Sequence, residues 1–160
     1  MPKRQVFYSF HYEKDVMRVH QVRNIGALED NKPVAPNNWE QVKRGGDVSI
    51  KKWIDDNMKY RSCVVVLVGE QTAYRKWVEY EIKKAWEDEK GLLAIRIHNI
   101  RCPRNGIGLS GQNPFDLLEF KQHGKVVVPK IHTPNPLYPY QDIAENLEGW
   151  IEDAIQLRNQ

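Results

Sequence analysis

The chain has 160 residues, 41% hydrophobic and 28% charged, which suffices for one domain (1–160) with a real core and leaves little room for a second. A net charge of +3 argues against a nucleic-acid-binding stripe, and no segment approaches the roughly 18 apolar residues of a membrane span. Neither the two cysteines, Cys63 and Cys102, nor any histidine pair has metal or redox spacing, and no signal-peptide h-region opens the sequence, so a metal-free cytoplasmic protein is expected.

Gln5 to Phe10 reads as a short buried strand, followed by a helix with Glu13 and Asp15 in its first turn and Val16, Val19 and Val22 on one face. Residues 24–46 hold Gly26, Pro33, Pro36, Gly45 and Gly46 and predict a long loop with at most a short edge strand near Val34. Asp47 is placed to cap the next helix, whose Ile50, Trp53, Ile54 and Met58 recur at helical spacing. Cys63 to Val68 is the most apolar run and predicts a central strand. A helix carrying Trp77 and Glu81 follows, then a strand from Leu92 to Ile97. Beyond it the pattern dissolves into a second expected functional loop through residue 124, with a short strand at Val126 to Val128. Asp142 is placed to cap a last helix bearing Ile143, Leu147, Trp150, Ile151, Ala154 and Ile155.

This alternation predicts an α/β fold, a flavodoxin-like doubly wound parallel sheet of about five strands with helices on both faces. Ligands of such sheets bind outside the carboxyl ends of the strands. Three stretches converge there in this reading: Ser9 to Tyr12, the loop ending at Gly46, and Gly69 to Trp77.

Glu81 breaks its helix's pattern. With Trp77 at zero and about 100° per residue, Ala85 falls near ~80°, Val78 near ~100° and Ile82 near ~140°, while Glu81 falls near ~40°, inside the apolar arc. A carboxylate so placed must be hydrogen-bonded, protonated or held for a ligand. The pattern leaves two readings open: an ion pair with Lys84 or a base on another element, or a functional acid. Gly106-Ile107-Gly108-Leu109-Ser110-Gly111 matches G-x-G-x-x-G but runs into Asn113-Pro114 and opens no helix, so it is not a dinucleotide fingerprint. Lys43-Arg44-Gly45-Gly46-Asp47 reads equally as a phosphate cradle or a solvated turn. Phe10-His11-Tyr12 offers a stacking ring, an imidazole and a phenol at a strand end, or simply core aromatics. No P-loop, nucleophile elbow or zinc motif is present.

The stretches Val6 to Asp15, Val64 to Thr72, Arg75 to Ile82, and Ile97-His98-Asn99 with Asn113-Pro114-Phe115 resemble, in this order across most of residues 5–120, the bacterial TIR-like family of the Thoeris anti-phage system. The resemblance implies an NADase that cleaves the nicotinamide–ribose bond, releasing a cyclic ADP-ribose isomer or related conjugate that activates a separate effector protein. It implies NAD as substrate with no further cofactor. It also implies a catalytic glutamate four residues beyond a tryptophan, a placement that Glu81 and Trp77 match, and a nucleotide site lined by Ser9 and Phe10. Charge and location add Arg75 or Lys43 for the diphosphate and His11 beside Phe10; Phe10 and Trp77 would wall a dry pocket. Assembly into a homo-oligomer and a phage-derived trigger fit the same picture. Two other readings stand beside it: a non-catalytic TIR-type module for self-association or sensing, and a nucleoside deoxyribosyltransferase-like enzyme.

Overall fold

The computed structural model describes residues 5–23, 42–102 and 106–160. Among these residues the main sheet has four strands, all parallel, in the order β1 (Val6–Ser9), β2 (Cys63–Val68), β3 (Gly91–Arg96) and β6 (Ile131–His132). The described helices flanking it are α1 (Tyr12–Arg23), α2 (Gly46–Met58), α3 (Lys76–Glu87) and α4 (Pro139–Asn159). The edge strand expected near Val34 lies outside the described residues.

Strand parity divides the core. Odd-numbered residues of β2 and β3, among them Val65, Leu67, Leu93 and Ile95, pack with Val19 and Val22 of α1 and with Ile143, Leu147 and Ile151 of α4. Even-numbered residues Val64, Val66, Val68, Leu92 and Ala94 pack with Ile50, Ile54 and Met58 of α2 and with Val78, Ile82 and Ala85 of α3. All six residues of β2 are fully buried, as befits a parallel strand covered on both faces. In β1 the parity reverses, so Val6 joins the α1/α4 cluster and Phe7 the α2/α3 cluster. Ser9, two residues beyond Phe7, therefore points toward α2 and α3.

Three expectations are corrected. The run Val126 to Val128 does not join the parallel sheet: β5 (Lys125–Val127) pairs antiparallel with β4 (Phe120–Gln122), leaving Val126 and Val128 exposed. The turn between them explains it, because His123 and Gly124 both take positive φ, 53° and 77°, the geometry of a tight two-residue hairpin. The fourth parallel strand is instead the two-residue β6, paired with Ala94 and Ile95. Neither expected aspartate is an N-cap. Gly45 occupies that place for α2, while Asp47 sits in the first turn and pairs with Lys76 of α3. For α4 the start lies earlier, at Pro139, whose fixed φ suits a first helical position, and Asp142 in the first turn accepts a hydrogen bond from the Asn135 amide at 2.8 Å. No described helix is long and apolar enough to cross a membrane.

Candidate active site

Ser9 ends β1 on the side that faces α3, and Glu81 lies on the buried stripe of α3 between Val78 and Ile82. They meet: the Ser9 hydroxyl donates to Glu81 Oε1 at 3.0 Å, joining residues 72 positions apart. Glu81 is 7% exposed, and Ser9 is fully buried. Burial pushes the Glu81 carboxyl up from its ordinary 4.5 to about 8, and the Ser9 hydrogen bond opposes that rise. The ion-pair alternative with Lys84 is not realised. Lys84 reaches Asp88 at 3.0 Å and Asp55 at 4.0 Å, and among the described residues Glu81 has no salt bridge. The helix thus presents one acid, mostly neutral at pH 7, to a serine hydroxyl at the carboxyl end of the sheet.

Trp77 sits one turn ahead of Glu81, half-buried against the α2/α3 cluster. Its indole meets the edge of Tyr80 at 5.8 Å and carries the Lys76 ammonium over its face at 4.8 Å. Tyr80 is in turn held by a 2.8 Å hydrogen bond to Asp55 of α2. Phe10 and Trp77, expected to wall one pocket together, pack against opposite clusters, Phe10 on the α1/α4 side and Trp77 on the α2/α3 side. The cause is parity, since Phe10 follows Ser9 and turns the other way. His11 is half-buried, and its carbonyl accepts the Asp15 amide in the first turn of α1. Lys43 lies on a helical turn just before α2, half-buried. Arg75 immediately precedes α3, exposed, with Nε on the Gln71 carbonyl at 3.0 Å and Nη2 on Gln71 Oε1 at 2.9 Å. Serine and glutamate are thereby brought into contact, Trp77 lies on the same helix as Glu81 with Arg75 just before its start, and Phe10 is turned away.

A second polar constellation was not read from the sequence. Asp15 and Arg18 of α1 are 1% and 3% exposed and pair at 3.4 Å, while Thr72 donates to Asp15 Oδ2 at 3.4 Å and accepts the Gly69 amide at 2.8 Å. Arg18 also donates to the carbonyls of Ile100 and Gly106, each at 2.8 Å. This buried network fastens the loops following β2 and β3 to the helix that follows β1, and so fixes the approach to α3. An i,i+3 acid–base pair in a helix otherwise lined by valines was the available clue.

The loops also cross. Gly111 lies so close over the loop after β2 that a Cβ there would sit 2.2 Å from the Gly69 carbonyl oxygen, and a Cβ on Gly69 would sit 2.3 Å from Asp15 Oδ2. Arg96, at the end of β3, holds the upper loop by donating to Ser110 Oγ at 3.1 Å and to the Gly111 carbonyl. Within the 106–111 motif Gly111 therefore serves loop packing, while Gly106 takes a positive φ of 68° with open space beside it. Among the described residues no group of three or more His, Cys, Asp or Glu side chains could hold a metal ion.

Comparison with known proteins adds two findings. The family model described as "Thoeris protein ThsB, TIR-like domain" matches residues 7–101, a span that includes Ser9, Trp77 and Glu81. A protein of Bacillus cereus (strain MSX-D12) named "Putative cyclic ADP-D-ribose synthase ThsB1" is 32% identical over 148 residues, a match spanning 88% of this chain and 77% of that protein.

Proposed function

This chain belongs to the Thoeris ThsB family through its TIR-like domain, and on that premise we propose that it cleaves the nicotinamide–ribose bond of NAD and closes the ADP-ribose product into a cyclic signal. The observation that carries the reading is the buried contact between Ser9 and Glu81 at the carboxyl end of the sheet. NAD is the substrate, and no separate cofactor is required. The product reports to a separate effector protein, and the enzyme works in the cytoplasm.

The chemistry follows from the position of the acid. Burial alone holds Glu81 mostly protonated. The nicotinamide of NAD is cationic, so its arrival beside the carboxyl favours the ionised form, and the proton leaves to solvent. As the glycosidic bond breaks, its electron pair returns to the nicotinamide nitrogen, which departs as a neutral base and needs no acid. Positive charge then resides on the ribose as an oxocarbenium-like cation, which a fixed carboxylate stabilises. The Ser9 hydroxyl keeps that carboxylate in one orientation. Capture of the ribose carbon by a nucleophilic atom of the same molecule closes the ring and capture by water gives ADP-ribose, either one releasing a proton that the Glu81 carboxylate or solvent takes up, so exclusion of water sets the ratio.

Incubating the purified chain with NAD and identifying products by mass spectrometry tests the reading, with Glu81→Gln and Glu81→Ala alongside. Both variants are expected to lose turnover by about 10²-fold or more while keeping the circular-dichroism spectrum of the parent. Turnover preserved in Glu81→Ala would remove Glu81 from the chemistry.

A further inference from the structure

The loop after β2 and the loop after β3 leave an open cleft of about 370 Å³ between them, lined by Glu70, Gln71, Ala73, Tyr74, Arg75 and Gln112. Its volume lies at the small end of ligand pockets, about 300–1,000 Å³, suited to a nucleoside rather than a whole dinucleotide. Tyr74 is the unusual member. Its backbone takes φ 68°, a left-handed conformation disfavoured for a side chain with a Cβ, yet the residue is 71% exposed, so no core contact accounts for the conformation. The hydroxyl donates to Gln112 Oε1 on the opposite loop, which fixes the ring at the lip of the cleft. Backbone strain that holds an aromatic face in solvent is a feature of ligand clamps.

We infer that this cleft is the subsite for the adenine end of the dinucleotide, with the Tyr74 ring as its stacking face; the inference rests on the NAD-cleaving reading above. Two carboxamides supply the polar recognition. The side-chain oxygens of Gln71 and Gln112 are taken by Arg75 and Tyr74, and among the described residues neither amide NH2 has an acceptor. Each can therefore donate an N–H to a ring nitrogen of a purine. Arg75, steadied by Gln71 and next to the amino terminus of α3, supplies positive charge for the diphosphate between the two ends. Position agrees with this division. Gly111 lies over Gly69 and is held by Arg96, so the cleft opens off the end of β2 on its β3 side. Ser9 ends β1, one to two strand spacings away, about 5–10 Å. A folded dinucleotide spans that distance, and folding is what ring closure onto the ribose demands.

Binding separates this assignment from catalysis. Titration calorimetry on the full chain measures the affinity for ADP-ribose, which carries the adenine end, and for nicotinamide mononucleotide, which lacks it. Three variants are compared with the parent: Tyr74→Gly, Tyr74→Phe and Gln112→Ala. Glycine accepts the left-handed backbone without strain, so Tyr74→Gly keeps the fold. It is expected to weaken ADP-ribose about tenfold or more, with Gln112→Ala weakening it in the same direction. Tyr74→Phe retains the ring but loses its tie to Gln112, so its affinity is expected to fall between the parent and Tyr74→Gly. Affinity for nicotinamide mononucleotide is unchanged in all three. Undiminished ADP-ribose affinity in Tyr74→Gly, equal losses for both ligands, or no ADP-ribose binding by the parent at millimolar concentration would each overturn the subsite. Turnover of NAD by the parent against Glu81→Gln is read separately. A failure there with the Tyr74 effect intact refutes the enzyme reading and leaves an adenine-nucleotide site standing.

Discussion

Replacing Glu81 with glutamine is expected to stabilise the folded chain, and to do so more at alkaline than at acid pH. Glutamine has nearly the same shape and offers an oxygen to the Ser9 hydroxyl, so the 3.0 Å contact survives the substitution. The difference lies in the proton. The carboxyl of the folded chain titrates near 8, whereas in the unfolded chain it titrates near its ordinary 4.5. Between those values the folded state binds a proton that the unfolded state has already released, so stability falls as pH rises through the window and levels off above it. At about 1.4 kcal/mol per pH unit, the parent loses roughly 3 kcal/mol by pH 7 and roughly 5 kcal/mol once pH exceeds 8, both as orders of magnitude. The glutamine variant loses none of this. Urea unfolding of both proteins at pH 5, 7 and 9 measures the difference, which should be small at pH 5 and grow to several kcal/mol at pH 9. An advantage that does not grow over that range, or a variant less stable than the parent at pH 9, would refute the claim that burial holds this acid neutral. A stabilising substitution that abolishes activity would also show that the folded chain tolerates a strained acid for the sake of its chemistry.

Two further outcomes follow. Ser9→Ala removes the hydrogen bond that favours the Glu81 carboxylate; a hydrogen bond to a charged acceptor is worth about 1.5–3 kcal/mol, so the limb of kcat/KM that rises with Glu81 ionisation should move about 1–2 pH units higher. A limb that stays in place or moves lower would mean that Ser9 does not act on Glu81. Gly111→Ala would put a Cβ 2.2 Å from one backbone carbonyl and 2.9 Å from another, so unfolding curves should show a loss of about 1–3 kcal/mol or more. An unchanged midpoint would show that the two loops do not cross as closely as described.

The helices were readable because their apolar residues recur with helical period over three or more turns, as Ile50, Ile54 and Met58 and as Ile143, Leu147 and Ile151 do. Glu81 was readable for the same reason: only a strict period makes a misplaced acid visible. Its partner was not written in that pattern. Lys84 stood nearby in sequence, whereas Ser9 comes into contact only once β1, β2 and α3 have been assembled, and the resemblance rather than the spacing pointed to it. The short strand β6 escaped notice because two residues between Pro129 and Pro134 carry no alternation, and Val126 to Val128 drew the assignment instead. Helix starts were misread where glycine or proline, not aspartate, set the boundary. Tyr74 was invisible as a special position, because left-handed backbone is ordinarily marked by glycine or asparagine and here is taken by a tyrosine.

The interlocked glycines at 69 and 111 bear on how such proteins can be recombined. Each segment fills the space that the other leaves, and Asp15 occupies the side of Gly69 that remains. A chimera that imports one of these segments from a relative while keeping the native counterpart would bring together surfaces shaped for different companions. Exchange of either stretch between homologues is therefore a matter of moving both, with the helix that bears Asp15, as one cassette.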